Sequence, residues 1–400
     1  MPKWKLSSIS QQESVFWVFF KLGLTSFGGP IAHLSYFHHA FVRKRAWLSE
    51  KEYADVVALC QFLPGPASSQ VGMTIGLMRA GWRGMFAAWS GFTLPSALFM
   101  AALGVGYQMG NQYISPGLLH GLNMVAVAVV AQAIWSMATK FCQKRAHWLL
   151  ALGSTIFLLK VQGPFAQIAA LSVAALVGIF LPNQDPKIAQ TLPSTSFSRL
   201  QVLIPGFLLI GLLVILPMLA NTLDQPRLEA GSSFFRSGAL VFGGGHVVLP
   251  LLESATVSQG WVSQDVFLAG YGAAQALPGP LFTYSAYLGA SIQPFAGMRG
   301  LGAAICLIAI FAPSFLLVLA LWPMWHRLRQ ITRVQAAFSG LNAAVVGLLM
   351  AAWLNPICSQ TIRHPGDVVW ALLGGVALIN LKWPTWLIVI LFGLIGWLLP

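Results

Sequence analysis

Apolar stretches of about 20 residues, the length a helix needs to cross a ~30 Å hydrocarbon core, recur from one end of the chain to the other. They run at about 14–37, 54–78, 85–108, 117–139, 147–161 and 164–182. A polar stretch rich in Pro, Ser, Thr and Gln follows, Asn183 to Arg199, and reads as a linker. Apolar segments then resume at about 201–220, 233–252, 266–292, 300–323, 335–354, 367–381 and 384–399. The pattern predicts an all-α polytopic membrane protein with six segments on each side of a single extra one. The fifth and sixth segments of each side are short, separated by Gln162-Gly163-Pro164 and by Lys382-Trp383-Pro384, which predicts tight hairpins of tilted or thinned spans.

Composition agrees. Hydrophobic residues make up 57% of the 400 and charged residues 8%, against about a quarter charged in a soluble domain. The net charge of +13 resides in short loops, the pattern that orients a membrane protein, and no nucleic-acid-binding motif accompanies it. Cys60, Cys142, Cys306 and Cys358 lie far apart without Cys-x-x-Cys spacing and read as packing residues rather than metal ligands. Met1 to Glu13 is polar and lacks an apolar core with a cleavage site, so no removed signal peptide is expected.

The polar interruptions repeat. Gln61-Phe62-Leu63-Pro64-Gly65-Pro66 returns as Gln275-Ala276-Leu277-Pro278-Gly279-Pro280, an offset of 275 − 61 = 214, and Phe27-Gly28-Gly29 returns as Phe242-Gly243-Gly244, an offset of 242 − 27 = 215. Trp47 matches Trp261, Gly121-Leu122-Asn123 matches Gly340-Leu341-Asn342, and the Pro-Ser pair at Pro95 matches that at Pro313. The order is kept, so the chain reads as a duplication: a first repeat over 1–182, a linker with one connecting helix over 183–232, and a second repeat over 233–400.

Loop charge sets the expected orientation. Arg43, Lys44, Arg45 and Lys51 follow the first segment, while the matching loop of the second repeat holds Glu253 and Asp265 and no Lys or Arg. The uncharged loop 109–116 corresponds to one holding Arg327, Arg329 and Arg333, and Lys140, Lys144 and Arg145 correspond to Arg363 and Asp367. By the positive-inside rule the repeats are inverted across the bilayer. Loops 38–53 and 79–84 are both basic, so 54–78 should dip in and return on the same side, turning at Pro64-Gly65-Pro66; 266–292 should re-enter from the opposite face at Pro278-Gly279-Pro280. Two ordinary proline-kinked spans are the alternative.

Candidate chemistry concentrates at these turns. The helical arm after each turn would begin near the midplane, with N–H groups and a positive dipole end facing an anion. Ser68 and Ser69 follow the first turn, Thr283 and Ser285 the second; their hydroxyls suit an oxyanion, or cap the helix. Lys21 and Arg236, again 236 − 21 = 215 apart, each lie six residues before Phe-Gly-Gly in an apolar segment. They either balance a dianion or snorkel to the interface. Gly28-Gly29 and Gly243-Gly244 either interrupt helices or permit close packing. Gln61 and Gln275 precede the turns and can donate and accept. Secondary or gating candidates are Arg83 with its match Arg299, Asn123 with Asn342, and His246, whose place in the first repeat is taken by Ile31. Ser49 and Glu52 form a capping box. No Walker A loop and no repeated carboxylate pair occurs, so neither a nucleotide, a metal, a catalytic residue nor another cofactor is expected.

These motifs carry a resemblance. Phe-Gly-Gly-Pro with a basic loop, Gln-Phe-Leu-Pro-Gly-Pro and Gly81-Trp82-Arg83-Gly84 resemble the chromate ion transporter family, in its long two-domain form. Phe-Gly-Gly-Gly-His and Gln-Ala-Leu-Pro-Gly-Pro look like its second homologous domain. The resemblance spans about 14–182 and 233–399. It implies inverted, fused halves and a multi-pass exporter of the cytoplasmic (inner) membrane that lowers cytoplasmic chromate and confers resistance. The expected partners are chromate or sulfate and the lipid bilayer; nucleic acid is not expected, and a homodimer is compatible with the sequence. Rival readings are an intramembrane enzyme acting on a lipid phosphate, and an anion channel.

Overall fold

The computed structural model describes residues 14–110, 115–161, 164–181, 199–328 and 331–398. Expectations about Met1–Glu13, Gln162-Gly163, the polar stretch up to residue 198, the middle of loop 109–116 and Arg329 lie outside the described residues. Among the described residues every regular element is helical, and five helices are long and apolar enough to cross a bilayer. This is an all-α, multi-pass membrane protein.

The expected first span is broken in each half. In the first half α1 (Val15–Thr25) and α2 (Gly29–His38) are separated where Gly28 and Gly29 take φ of 96° and 76°. That left-handed region is open to glycine and costly for residues with a Cβ. A π-helical turn, His39–Lys44, ends α2. The next helix, α3 (Glu50–Phe62), starts on the predicted capping box: Ser49 Oγ accepts from the Glu52 N–H, and the Glu52 carboxylate accepts from the Ser49 N–H. After Pro64-Gly65-Pro66 comes α4 (Ala67–Gly110), interrupted at Ala80 and Gly81. Then follow α5 (Pro116–Phe141), α6 (Arg145–Lys160) and α7 (Pro164–Ile179), and the connecting helix α8 (Arg199–Leu223).

The second half repeats the plan. The chain breaks between α9 (Pro226–Leu240) and α10 (Val248–Thr256), with Gly243 at φ 82° and a short turn at Gly245–Val247. Next, α11 (Gln264–Gln275) leads through Pro278-Gly279-Pro280 and a turn at Leu281–Thr283 into α12 (Tyr284–Ser291). The remainder is α13 (Arg299–Leu321), α14 (Trp325–Leu328), α15 (Thr332–Ala352), α16 (Ser359–Thr361), α17 (Pro365–Ile379) and α18 (Thr385–Leu398).

Both Pro-Gly-Pro turns reverse the chain, which rules out proline-kinked rods. Cys60 Sγ lies 3.7 Å from Thr74 Oγ1 across the first. Across the second, Tyr284 Oη donates to the Phe267 carbonyl at 2.6 Å and Tyr287 Oη to that of Val266 at 3.0 Å. The entering arms have 13 and 12 residues, about 18–20 Å at ~1.5 Å per residue, short of a ~30 Å core. Each returning arm is held by glycines against the long helix that follows. A Cβ on Gly76 would sit 2.3 Å from the Gly84 carbonyl oxygen, and one on Gly289 2.2 Å from that of Gly302.

The two halves are interlocked at the other end. The hairpin α6–α7 packs on α15 of the second half, and α17 and α18 pack on α5 of the first. Matched glycines make the crossings: a Cβ on Gly340 would meet the Ala174 carbonyl oxygen at 2.2 Å, and one on Gly121 that of Phe392 at 2.2 Å. The buried faces of α5 (Met124–Val130) and α15 (Ala343–Leu349) form the centre of the larger apolar core. A smaller core under α1–α4 holds Phe19, Phe37, Phe41 and Phe92. Peripheral α8 packs on α9 and α13 and turns Phe207, Ile210 and Val214 outward, the apolar exposure expected of a lipid-facing helix.

Candidate functional site

Four helix beginnings follow the four breaks: α2, the first arm of α4, the Gly245 turn into α10, and the Leu281 turn into α12. The first N–H groups of a helix have no intrahelical acceptor. These four positive ends are tied into one junction. The Gly65 N–H donates to the Val241 carbonyl at 2.6 Å and the Gly279 N–H to the Ser26 carbonyl at 2.9 Å. Val241 and Ser26 each directly precede Phe-Gly-Gly, so each turn is clasped by the glycine motif of the opposite half. The second clasp is steric. A Cβ on Gly65 would fall 2.6 Å from Ser314 Oγ and one on Gly279 2.7 Å from Ser96 Oγ. These are the serines of the repeated Pro-Ser pair. The glycine motifs also approach each other: Pro30 Cγ and Leu281 Cδ2 both lie 3.6 Å from where a Gly245 Cβ would be.

His33 on α2 bridges the two turns. Its Nε2 lies 3.1 Å from the Ser26 carbonyl oxygen, the same oxygen that accepts from Gly279, and its Nδ1 lies 3.2 Å from Ser68 Oγ. A carbonyl can only accept, so Nε2 carries a proton, and in the neutral ring Nδ1 accepts from the Ser68 hydroxyl. His33 is 1% exposed, with its ring edge-on to Phe92. Ser26, Ser69, Gln70 and Thr93 each contact His33 or the first turn, or neighbour in sequence a residue that does, and their Oγ, Oγ, Oε1 and Oγ1 atoms are buried with no protein partner. Buried polar atoms are rarely left unpaired, so these four retain unused hydrogen-bonding capacity. The Gln70 amide is partly committed, donating to the Pro64 carbonyl at 2.6 Å.

The predicted residues divide. Pro64, Gly65, Pro66, Ser68 and Ser69 line the first turn, and Gly28, Gly29, Gly243 and Gly244 form the breaks. Pro278, Gly279 and Pro280 form the second turn, but its hydroxyls are turned inward: Thr283 Oγ1 donates to the Pro280 carbonyl at 2.9 Å and Ser285 Oγ to that of Phe282 at 2.7 Å. Both hydrogens are therefore spent on carbonyls of their own turn, three residues back, and neither hydroxyl accepts from a first-turn N–H as the capping alternative would require. Gln61 is exposed and its Oε1 lies 3.5 Å from Lys140 Nζ; Gln275 is half-buried. Lys21 is exposed on α1 and Arg236 half-buried on α9. Neither is hydrogen-bonded to a turn residue among the described residues.

The secondary candidates have local partners. Arg83 is exposed and lies over the Trp82 ring at 5.4 Å, whereas Arg299 donates to the Ala290 carbonyl at 2.9 Å and caps the end of α12. Asn123 donates to Asp265 at 2.9 Å; Asn342 lines a cavity of about 280 Å³ on the other side of the molecule. His246 sits 2.7 Å from Tyr271 Oη. His33, Ser26 and Thr93 were not anticipated, and His33 could not be found through the repeat, because 33 + 215 = 248 is a valine.

The chromate transporter family model matches residues 14–179 and again 228–397. A probable chromate transport protein of Synechococcus elongatus is 27% identical over 99% of this chain and 96% of its own length. Chromate transport proteins of Cupriavidus metallidurans and Pseudomonas aeruginosa are 25% and 24% identical over 84% and 95% of this chain and 80% and 90% of theirs. No solved structure matches. The repeated Pro-Gly-Pro turns, the glycine breaks they clasp and this double match together show that the chain belongs to the chromate transporter family, a family of membrane transporters and not of enzymes.

Proposed function

We propose that the protein exports chromate across the cytoplasmic membrane by alternating access around the junction of four helix beginnings, with sulfate as a competing tetrahedral dianion. The observation that carries this reading is the pair of reciprocal clasps that brings both Pro-Gly-Pro turns and both glycine breaks, each followed by a helix beginning, to one junction. Each N-terminus is equivalent to about +0.5 charge, so four supply about +2, the complement of a dianion. The first-turn N–H groups of Ala67, Ser68 and Ser69, which have no intrahelical acceptor, provide donors on one side together with the Ser69 hydroxyl. The Leu281 turn and the glycine motifs provide them on the other. Lys21 and Arg236 add positive charge along the approach.

The reciprocal clasps, Gly65 on one glycine motif and Gly279 on the other, support two inverted repeats over 1–182 and 233–400 that rock against each other. Loop charge supports the same inversion. The driving force needs no nucleotide: an inside-negative potential favours anion exit by about 2.3 kcal/mol per charge per 100 mV, and a dianion gains about twice that.

The test is uptake of radiolabelled chromate and sulfate by inverted membrane vesicles under a lumen-positive potential. Saturable, mutually competitive uptake is expected, reduced in Ser69→Ala, Lys21→Ala and Arg236→Ala. Uptake that never saturates would favour an anion channel. Undiminished uptake in all three variants would place the anion elsewhere.

A further inference from the structure

The matching helices α3 and α11 are packed differently in the two halves. On α11, Leu268 and Gly272 are buried, and a Cβ on Gly272 would lie 2.7 Å from the Leu122 carbonyl oxygen of α5. That helix packs along α5. The matching positions on α3, 214 residues earlier, are Ala54 and Ala58, and both are exposed. They share a helix face with Gln61, which reaches Lys140. At its tip α3 meets α15 through Phe62, whose ring centroid is 3.8 Å from that of Phe338.

Between α3 and α15 lies the cavity of about 280 Å³, lined by Phe62, Lys140, Gln143, His147, Ser339 and Asn342 among others. Its inner wall adjoins the junction. Phe141, also in the lining, lies 3.6 Å from where a Gly243 Cβ would be, and Phe62 ends α3, one residue short of the first turn.

At the opposite end of α5 the matching space is closed. Asn123 donates to Asp265 at 2.9 Å, and Arg363 Nη2 lies 3.4 Å from the same carboxylate. Backbone N–H groups of Arg363 and His364 donate to Asp367, which also meets His120 at 2.9 Å. Asn123 and Lys140 are 140 − 123 = 17 residue steps apart on α5, about 26 Å along the helix. The open side carries the basic loop of Lys140, Lys144 and Arg145, and the closed side the acidic Asp265.

We propose that the structure is an inward-open state: the cavity beside Lys140 is the cytoplasmic doorway of the oxyanion, and Asn123, Asp265 and Arg363 form the latch that shuts the outer doorway. The proposal rests on the oxyanion-transport reading and adds to it a state, an entrance cation and a gate. Lys140 offers an incoming dianion a cation beside neutral amides, and no carboxylate is among the residues named in the lining. The latch must break for release, when α11 swings from α5 to the arrangement α3 now has.

The experiment is thiol labelling with a membrane-impermeant maleimide in the full-length protein, comparing Ala58→Cys with Leu268→Cys. Ala58→Cys should react in inverted vesicles, from the cytoplasmic face. Leu268→Cys should stay unreactive in right-side-out vesicles. It should gain reactivity several-fold once Asp265→Asn or Asp265→Ala is added, the Asn variant guarding against a mere folding defect. Chromate, added as the probe, should slow labelling of Ala58→Cys, and Lys140→Gln should raise the half-saturating chromate concentration about fivefold, with Lys140→Arg close to the parent. Outer reactivity of Leu268→Cys with the latch intact, or no response to either latch variant, would overturn the assignment of state and gate. The full labelling asymmetry without any chromate effect would keep the doorway and sink the oxyanion reading.

Discussion

Gly65 and Gly279 show how much is decided by single atoms. Both hold left-handed φ, 121° and 95°, and both would drive a Cβ into a serine of the other half. Gly65→Ala and Gly279→Ala should each destabilise the protein by about 1–3 kcal/mol, from backbone strain and overlap together. Thermal unfolding of the detergent-purified protein checks this, with Gly153→Ala, at a site with open space around it, expected to be neutral. His33 gives a functional counterpart. His33→Leu removes both bonds that join the two turns and leaves the Ser68 hydroxyl unpaired. Its initial rate of chromate uptake should fall about tenfold, the kinetic equivalent of roughly 1.4 kcal/mol. An unchanged rate would reduce His33 to packing.

At the scale of elements, the breaks and turns were legible because the residues that permit them are chemically special. Proline lacks a donor and glycine alone takes left-handed φ without strain, so their repetition marks the geometry in the sequence. The candidate hydroxyls were less legible. Ser68, Ser69, Thr283 and Ser285 look alike as residue types, yet Thr283 and Ser285 spend their hydrogens on their own turn while Ser69 has no partner. Rotamer and neighbour decide that difference, and neither is written in local spacing. The exchange of hairpins was also hidden: nothing near Gly340 says that its partner is Gly178 of the other half rather than a helix of its own. Gly121→Val and Gly340→Val should force these crossings apart and lower the melting temperature, at a cost of about 1–3 kcal/mol each. Equal loss in both would match their equivalent positions. Tolerance of valine would mean that the crossing is looser than the structure has it.

At the scale of the molecule, loop charge is the basis of the proposed orientation, and the asymmetry between the halves that of the proposed state. The re-entrant reading predicts that Lys51→Cys and Arg79→Cys are labelled from the cytoplasmic face and Ser258→Cys from the opposite one. Labelling of the first two from different faces would turn the first hairpin into a crossing and remove the inversion. In the proposed site the four helix beginnings act together, their partial charges summing at one place, an effect of the assembled fold that no single segment carries.

Location of the anion itself tests that sum most directly. Crystals of the purified protein grown with chromate, measured at the chromium absorption edge, would report its position without any assumption about mechanism. The account predicts an anomalous peak enclosed by the first turns of α2 and α4 and the Gly245 and Leu281 turns, within hydrogen-bonding reach of Ser69. A chromium peak confined to surface arginines and lysines, with the junction empty at saturating chromate, would contradict it.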